Sequence, residues 1–524
     1  MKVPLNVRRF LDHAASIYPD KVGVIDQDGE FTYRQLKERA DRLSHALIGL
    51  GVGRGDRVAV LAYNNHPLLE AYYGVVQFGA VLVPLNIRLT LEEIAYIAQD
   101  CAPKVLLFDS DFEPWARQLQ VQDPALRLVE IRIEGSHEGY AGYEELLAAQ
   151  APGPVPDDVA EDEVAEIFYT SGSTARPKGV ALSHRALYLH ALQCGFGQGV
   201  DDTMVILHTI PLFHVNGWGT PHYVTALGGT HVMLRRFVPA RVLELVERHR
   251  VTNAAFVPTM VGMLLGEPSL RTRDLSSLRQ MNVGGAPSPS QFVAASMQGL
   301  AGEYLGGYGL SESSPVVSVA RIKSTLRDAP REIRDQLRGT AGLPMVGVAV
   351  RLEGPDGQEL PWDGEAVGEL LVRADSVMEG YWNLPAETAE ALRGGWLHTG
   401  DMAVILPEGY IRIVDRKKDI IISGGENISS AEIEDMLYGH PAVRECAVVG
   451  RPDEKWGEVP HAAVSLREGA QATGEEILAY ARGRLAAFKA PQSIEIWPEL
   501  PKTGTGKVLK TAIRRRLKES REGA

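Results

Sequence analysis

The string Tyr169–Val180, YTSGSTARPKGV, gathers the residue types that hold anionic oxygens. It continues a stretch of strand character, Val164–Thr170. Gly172 permits close backbone approach, Ser171, Ser173 and Thr174 offer hydroxyl donors, and Lys178 adds a positive charge. The spacing is not that of a Walker A loop, which needs a second glycine where position 177 is proline. A second string, Gly307–Glu312 (GYGLSE), sets the flat ring of Tyr308 beside Gly309, the hydroxyl of Ser311 and the carboxylate of Glu312. A flat apolar face suits a planar base, and a bare glycine lets the backbone come close.

Length and composition limit what the chain can be. One hydrophobic core stops growing near ~250–300 residues. The 524 residues therefore imply two or more domains. Hydrophobic residues at 45% and charged residues at 23% allow a large core that needs no metal or disulfide staple. A net charge of -13 argues against general nucleic-acid binding, although Arg514, Arg515, Arg516 and Lys518 form a basic run. Cys101, Cys194 and Cys446 are far apart and odd in number, which argues against a disulfide framework or a zinc site. The N-terminus lacks the apolar stretch of a signal peptide, and no apolar run approaches the ~18–20 residues of a membrane span. A cytoplasmic location is expected.

Three further strings follow these two along the chain, and one lies between them. They are Val283–Pro287 (VGGAP), Trp396–Asp401 (WLHTGD), Asp415–Asn427 (DRKKDIIISGGEN) and Leu500–Lys510 (LPKTGTGKVLK). Together with Phe31–Leu36 (FTYRQL), they make the chain similar over nearly its whole length to the adenylate-forming superfamily of acyl-CoA synthetases, adenylation domains and luciferases. Two positions depart from the family's usual pattern. Ala175 stands where glycine is usual, and Ser311 stands where threonine is more frequent but keeps the hydroxyl.

The resemblance implies an AMP-forming acid–CoA ligase with ATP, magnesium and coenzyme A. It gives nucleotide contacts to Thr170, Ser171, Gly172, Ser173, Thr174, Lys178, Gly284, Gly285, Gly307, Tyr308, Gly309, Ser311, Asp401, Arg416 and Lys418. Glu312 and Thr170 take the role of magnesium ligands. Asp401 would accept from the ribose hydroxyls, because an ionised carboxylate has several acceptor sites. Lys507 resembles the catalytic lysine of adenylation. Gly424 and Gly425 resemble the loop that faces the site during thioester formation. In Pro211–Trp218 (PLFHVNGW), His214 resembles the residue at the carboxylate end of the acyl tunnel. Trp218 falls where some long-chain members carry a tryptophan gate, although a core tryptophan fits as well. Val215 and Gly284 complete the expected acid contacts. No Asp in this segment awaits a substrate ammonium, so a plain carboxylic acid is expected, medium- or long-chain fatty before aryl. An adenylation enzyme loading a carrier protein is disfavoured because no carrier domain follows residue 524. Relatives make a homodimer an expectation.

The elements that must position these residues are also readable. Leu36, Ala40, Leu43, Leu47 and Leu50 recur at helical spacing before Gly51. Short apolar runs at Val58–Ala62, Ala80–Pro84 and Val105–Asp109 alternate with a helical stretch near Leu68–Phe78. That alternation predicts a parallel sheet covered by helices. Residues 150–162 read as a connector, and 339–414 as a Gly-studded, β-rich section. Ser429 and Glu432 have capping-box spacing. A strand is expected at Arg444–Val449, a helix at Glu475–Phe488 and a strand near Ile494–Trp497. The resulting expectation is α/β. A large N-terminal domain of stacked β-sheets with helices (1–416) precedes a small mobile α+β C-terminal domain (417–524), hinged near Lys418.

Overall fold

A computed structural model describes residues 3–522, apart from 132–139, 152, 157, 171–175, 287, 418, 424–425, 454–455, 487–488 and 503–507. The fold is mixed α/β, with a large N-terminal sheet domain and a small C-terminal one. The chain divides into two compact units, residues 1–350 with 372–397, and residues 351–371 with 398–524. Among the described residues, no helix is long and apolar enough to cross a membrane.

The larger unit holds two sheets. One has nine strands, with Val22–Asp26, Thr230–Met233, Val205–His208, Asn253–Phe256, Gln280–Gly284 and Glu303–Gly309 running parallel through its centre. The other has eight, centred on Arg57–Leu61, Val81–Pro84, Val105–Asp109 and Val164–Thr170. The apolar alternation in the sequence therefore does build parallel strands. They are buried on both faces, as crossover helices require. One core draws on both sheets: Val24 and Ile206 from the first, Val58, Leu82 and Phe168 from the second, with Leu36, Leu43, Leu69 and Leu187 of the intervening helices.

Local rules explain the element ends. Thr32 and Gln35 close a reciprocal capping box on the helix Tyr33–Gly49, and Gly51 then turns at φ 85°. Ser429 accepts from the Glu432 N–H and starts the helix Ser430–Tyr438. The helix expected at Glu475–Phe488 is shorter, Gly474–Arg482, because Gly483 follows at its end. The strand expected at Arg444–Val449 is longer, Val443–Asp453, since Gly457–Leu466 pairs along its whole length. That hairpin, with Ile421–Ser423, Glu426–Ile428 and Ser493–Ile496, forms the sheet of the smaller unit's C-terminal part.

Candidate active site

Strand register brings the sequence strings together in pairs. Gly284 and Gly307 are partners at the carboxyl ends of adjacent parallel strands, which joins VGGAP to GYGLSE. Carboxyl ends of parallel strands are where open α/β sheets bind ligands. Thr170 and Lys178 face each other across the antiparallel pair that flanks the hydroxyl-rich loop. Ser171, Gly172, Ser173, Thr174 and Ala175 themselves lie outside the described residues, as do Lys418, Gly424, Gly425 and Lys507.

Tyr381 ties these strings to one another. Its O–H donates to Glu312 Oε1 at 2.7 Å, and Lys178 Nζ lies 5.1 Å from the centre of its ring. Burial and the neighbouring Glu312 push the phenol well above its ordinary range, so it stays a donor. The strand Gly380–Tyr381 pairs with Val180 and Ala181, and the Met378 N–H donates to the Glu312 carbonyl. Sequence reasoning missed Tyr381, which stands 69 positions from Glu312 in a string with no chemical signature. Packing alone also requires a bare residue at Gly309, where a Cβ would sit 2.0 Å from the Pro315 carbonyl oxygen.

In the smaller unit, Asp401 and Arg416 are register partners, with Arg416 Nε 2.7 Å from Asp401 Oδ1. Asp401 is buried while Arg416 is half exposed. Thr399 Oγ1 accepts from the Asp401 N–H and donates to the Leu370 carbonyl. Glu369 accepts from the Gly400 N–H at 3.1 Å and from Lys417 Nζ at 2.9 Å. Burial opposes the Glu369 charge, but Lys417 and that N–H hold its carboxyl below the ordinary value. Asp415 accepts from the Ser430 N–H and hydroxyl, both at 2.6 Å, so this motif acid caps the following helix. Lys510, the last residue of the string Leu500–Lys510, is fixed 2.8 Å from Glu434.

The acid-binding segment has an unusual backbone. The helix Val215–Leu227 opens with a left-handed turn, with φ of 42°, 41°, 54°, 67° and 86° at Val215, Asn216, Gly217, Trp218 and Gly219. Three of these carry a Cβ, at a cost of roughly 1–2 kcal/mol each, so the surroundings must hold them. Side chains are excluded at the other two. A Cβ at Gly217 would meet Leu212 at 2.8 Å, and one at Gly219 would meet His190 at 2.6 Å. Trp218 is half-buried, not core. Its ring lies over bare backbone, 3.1 Å from where a Gly284 Cβ would stand. His214 is half-buried at the start of the turn, and Val215 is buried.

All three thiols are buried, and burial pushes Cys101 up to about 12. Among the described residues the larger unit offers Lys178 and a carboxylate with a fixed donor, and the smaller unit an acid–guanidinium pair.

This combination is that of an adenylate-forming enzyme, and comparison with known proteins agrees. Residues 11–382 match the AMP-binding enzyme family, and 432–507 match the AMP-binding enzyme C-terminal domain. The chain belongs to this family, and it is an acid–thiol ligase of the acyl-CoA synthetase class. It is similar to the feruloyl-CoA synthase of an Amycolatopsis species, at 40% identity over 96% of this chain and 97% of that one. It is also similar to the long-chain-fatty-acid–CoA ligase of Thermus thermophilus, at 38% identity over 100% and 98% of the two chains. The crystal structure of the anthranilate CoA ligase AuaEII with anthranoyl-AMP superposes with a TM-score of 0.90 at 27% identity, covering 100% of this chain and 99% of that one. Membership implies ATP and coenzyme A as co-substrates.

Proposed function

We propose that the chain activates a medium- or long-chain fatty acid as its acyl-adenylate, releasing pyrophosphate, and then transfers the acyl group to the thiol of coenzyme A, releasing AMP. The observation that carries the choice of acid is the segment Pro211–Trp218. It offers an apolar wall at Val215 and Trp218 and contains no carboxylate to pair a substrate ammonium. An aryl acid is the second reading. It is favoured by the Trp218 ring lying on the bare backbone of Gly284, and by likeness to a chain named for feruloyl-CoA.

In this reading the substrate carboxylate attacks the α-phosphate, so no protein nucleophile is required. Tyr308 stacks on adenine, Asp401 and Arg416 hold the ribose, and Ser311 donates to the α-phosphate. Ser171, Gly172, Ser173 and Thr174, with Lys178, take the departing oxygens. Negative charge grows as the bond forms, and preorganised donors stabilise it. Lys507 supplies the mobile cation, and His214 faces the acid's carboxyl end. Glu312 and Thr170 offer the hard oxygen donors a magnesium ion takes, with the Tyr381 O–H donating to Glu312 Oε1. Bound there, the ion would neutralise phosphate charge. For the second step, residues 417–524 turn about Lys418, withdraw Lys507 and present Gly425. Cytoplasmic location and homodimeric assembly belong to the same proposal.

The test is pyrophosphate release across a panel of fatty and aryl acids, with and without coenzyme A. Turnover that needs the thiol and peaks at one fatty chain length is expected. A peak on cinnamate- or benzoate-like acids favours the second reading, and turnover without coenzyme A contradicts thioester formation.

A further inference from the structure

Glu166 is fully buried on the strand Val164–Thr170, four residues before the phosphate-loop threonine, yet nothing in the adenylation chemistry uses it. A buried carboxylate needs partners, and among the described residues Glu166 has two, both on the helix Val215–Leu227. Asn216 Nδ2 donates to Oε2 at 3.2 Å, and His222 Nε2 lies 2.7 Å from Oε1. Asn216 is itself buried and left-handed, and its Oδ1 accepts from the Gly219 N–H at 2.6 Å. The Asn216 side chain thus ties one end of the turn to Glu166 and closes the turn around Trp218. His222 is fixed from outside, between the rings of Tyr72 and Tyr73, whose hydroxyls donate to the carbonyls of Leu212 and Pro221. Each end of the tie is anchored in the core, and the one partly exposed side chain within the turn is Trp218.

We propose that Glu166 is a specificity-positioning residue. Through Asn216 and His222 it fixes the left-handed turn, and so the stance of Trp218 over Gly284, and with it the acyl shapes the enzyme accepts. This rests on the reading that Trp218 lines the acyl site.

The experiment compares three variants over the acid panel, reading KM for acid, KM for ATP and the ranking of acids. Glu166→Leu removes both acceptors. It should raise KM for the preferred acid about tenfold, flatten discrimination between acids by a similar factor, and leave KM for ATP within about twofold, a tenfold change being the loss of one such hydrogen bond. Glu166→Gln keeps an acceptor for Asn216 and offers His222 an N–H, which its other tautomer accepts. It should restore the wild-type ranking. Asn216→Gly serves if Glu166→Leu does not fold, because glycine tolerates the positive φ while losing the tie. It should reproduce the flattened ranking. An unchanged ranking in Glu166→Leu or Asn216→Gly, or a parallel rise in both KM values, overturns the proposal. Trp218→Ala separates the two layers. If it alters the ranking while Asn216→Gly does not, the coupling is wrong; if it leaves the ranking intact, the acyl-site reading fails first.

Discussion

A single hydroxyl holds the Glu312 carboxylate. The Tyr381 O–H occupies Oε1, and its ring lies beneath the Lys178 ammonium, so one side chain orients both charges. Tyr381→Phe keeps the ring and removes the donor. Loss of a hydrogen bond to a charged acceptor is worth about 1.5–3 kcal/mol, or roughly ten- to a hundredfold. A fall of that size in kcat/KM for ATP is expected, with KM for acid unchanged, measured by steady-state pyrophosphate release. An unaltered kcat/KM would mean that Glu312 needs no orienting partner. At this scale the sequence was informative where a role needs a run of neighbours. Gly284 with Gly307 and Asp401 with Arg416 came from separate strings, Thr170 with Lys178 from the two ends of one, and the strands pair them. Tyr381, Glu166 and His222 were not legible, because their partners are far along the chain and no local pattern marks a residue that acts at a distance.

The parallel strands and capped helices follow from apolar spacing and capping chemistry, which are local. The left-handed turn at 215–219 does not. Val215 and Trp218 are poor residues for positive φ, and the Asn216 side chain between them bonds both to Glu166, fifty positions away, and to the Gly219 N–H within the turn. Buried imidazoles stitch the same elements. His184 begins one helix, and among the described residues neither of its ring nitrogens has a hydrogen-bond partner. His190 Nε2 accepts the Val316 N–H, which requires the neutral ring, and His208 Nε2 lies 2.9 Å from His231 Nδ1. Burial pushes His184 down to about 4, and His190 and His208 down to about 3. The unfolded chain takes up these protons near pH 6.5, while the fold refuses them until pH 3–4. Their contribution is present above pH 6.5 and is lost as pH falls, at up to about 1.4 kcal/mol per pH unit for each ring. His66 has the opposite sign. Burial disfavours its charge, but Asp26 and Glu144 raise it to about 10, so its contribution is complete below pH 6.5 and fades toward 10. It therefore cannot offset the acid loss. Tm should fall steadily from pH 7 to 5, and His184→Leu should make that fall shallower. A flat Tm over this range would mean these rings protonate freely in the fold.

At the scale of the whole molecule, the two compact units divide the motif residues between them. Glu312, Tyr308 and Trp218 belong to the larger, Asp401 and Arg416 to the smaller. Length indicated more than one domain, and the family match at 432–507 marks the C-terminal one. Composition did not mark where one unit gives way to the other, because the chain passes between them at β-strands whose apolar pattern looks the same on both sides. The proposed two-step reaction at one nucleotide site requires that the residues of each step be separable. The decisive measurement follows both steps in Lys507→Ala and Gly425→Leu: pyrophosphate release from acid and ATP, and thioester formation from supplied acyl-adenylate and coenzyme A. Lys507→Ala should lose the first by ~10²–10³-fold, the scale of one preorganised charge donor, and keep the second, while Gly425→Leu does the reverse. Equal damage to both steps in both variants would contradict a ligase that works by exchanging its C-terminal groups.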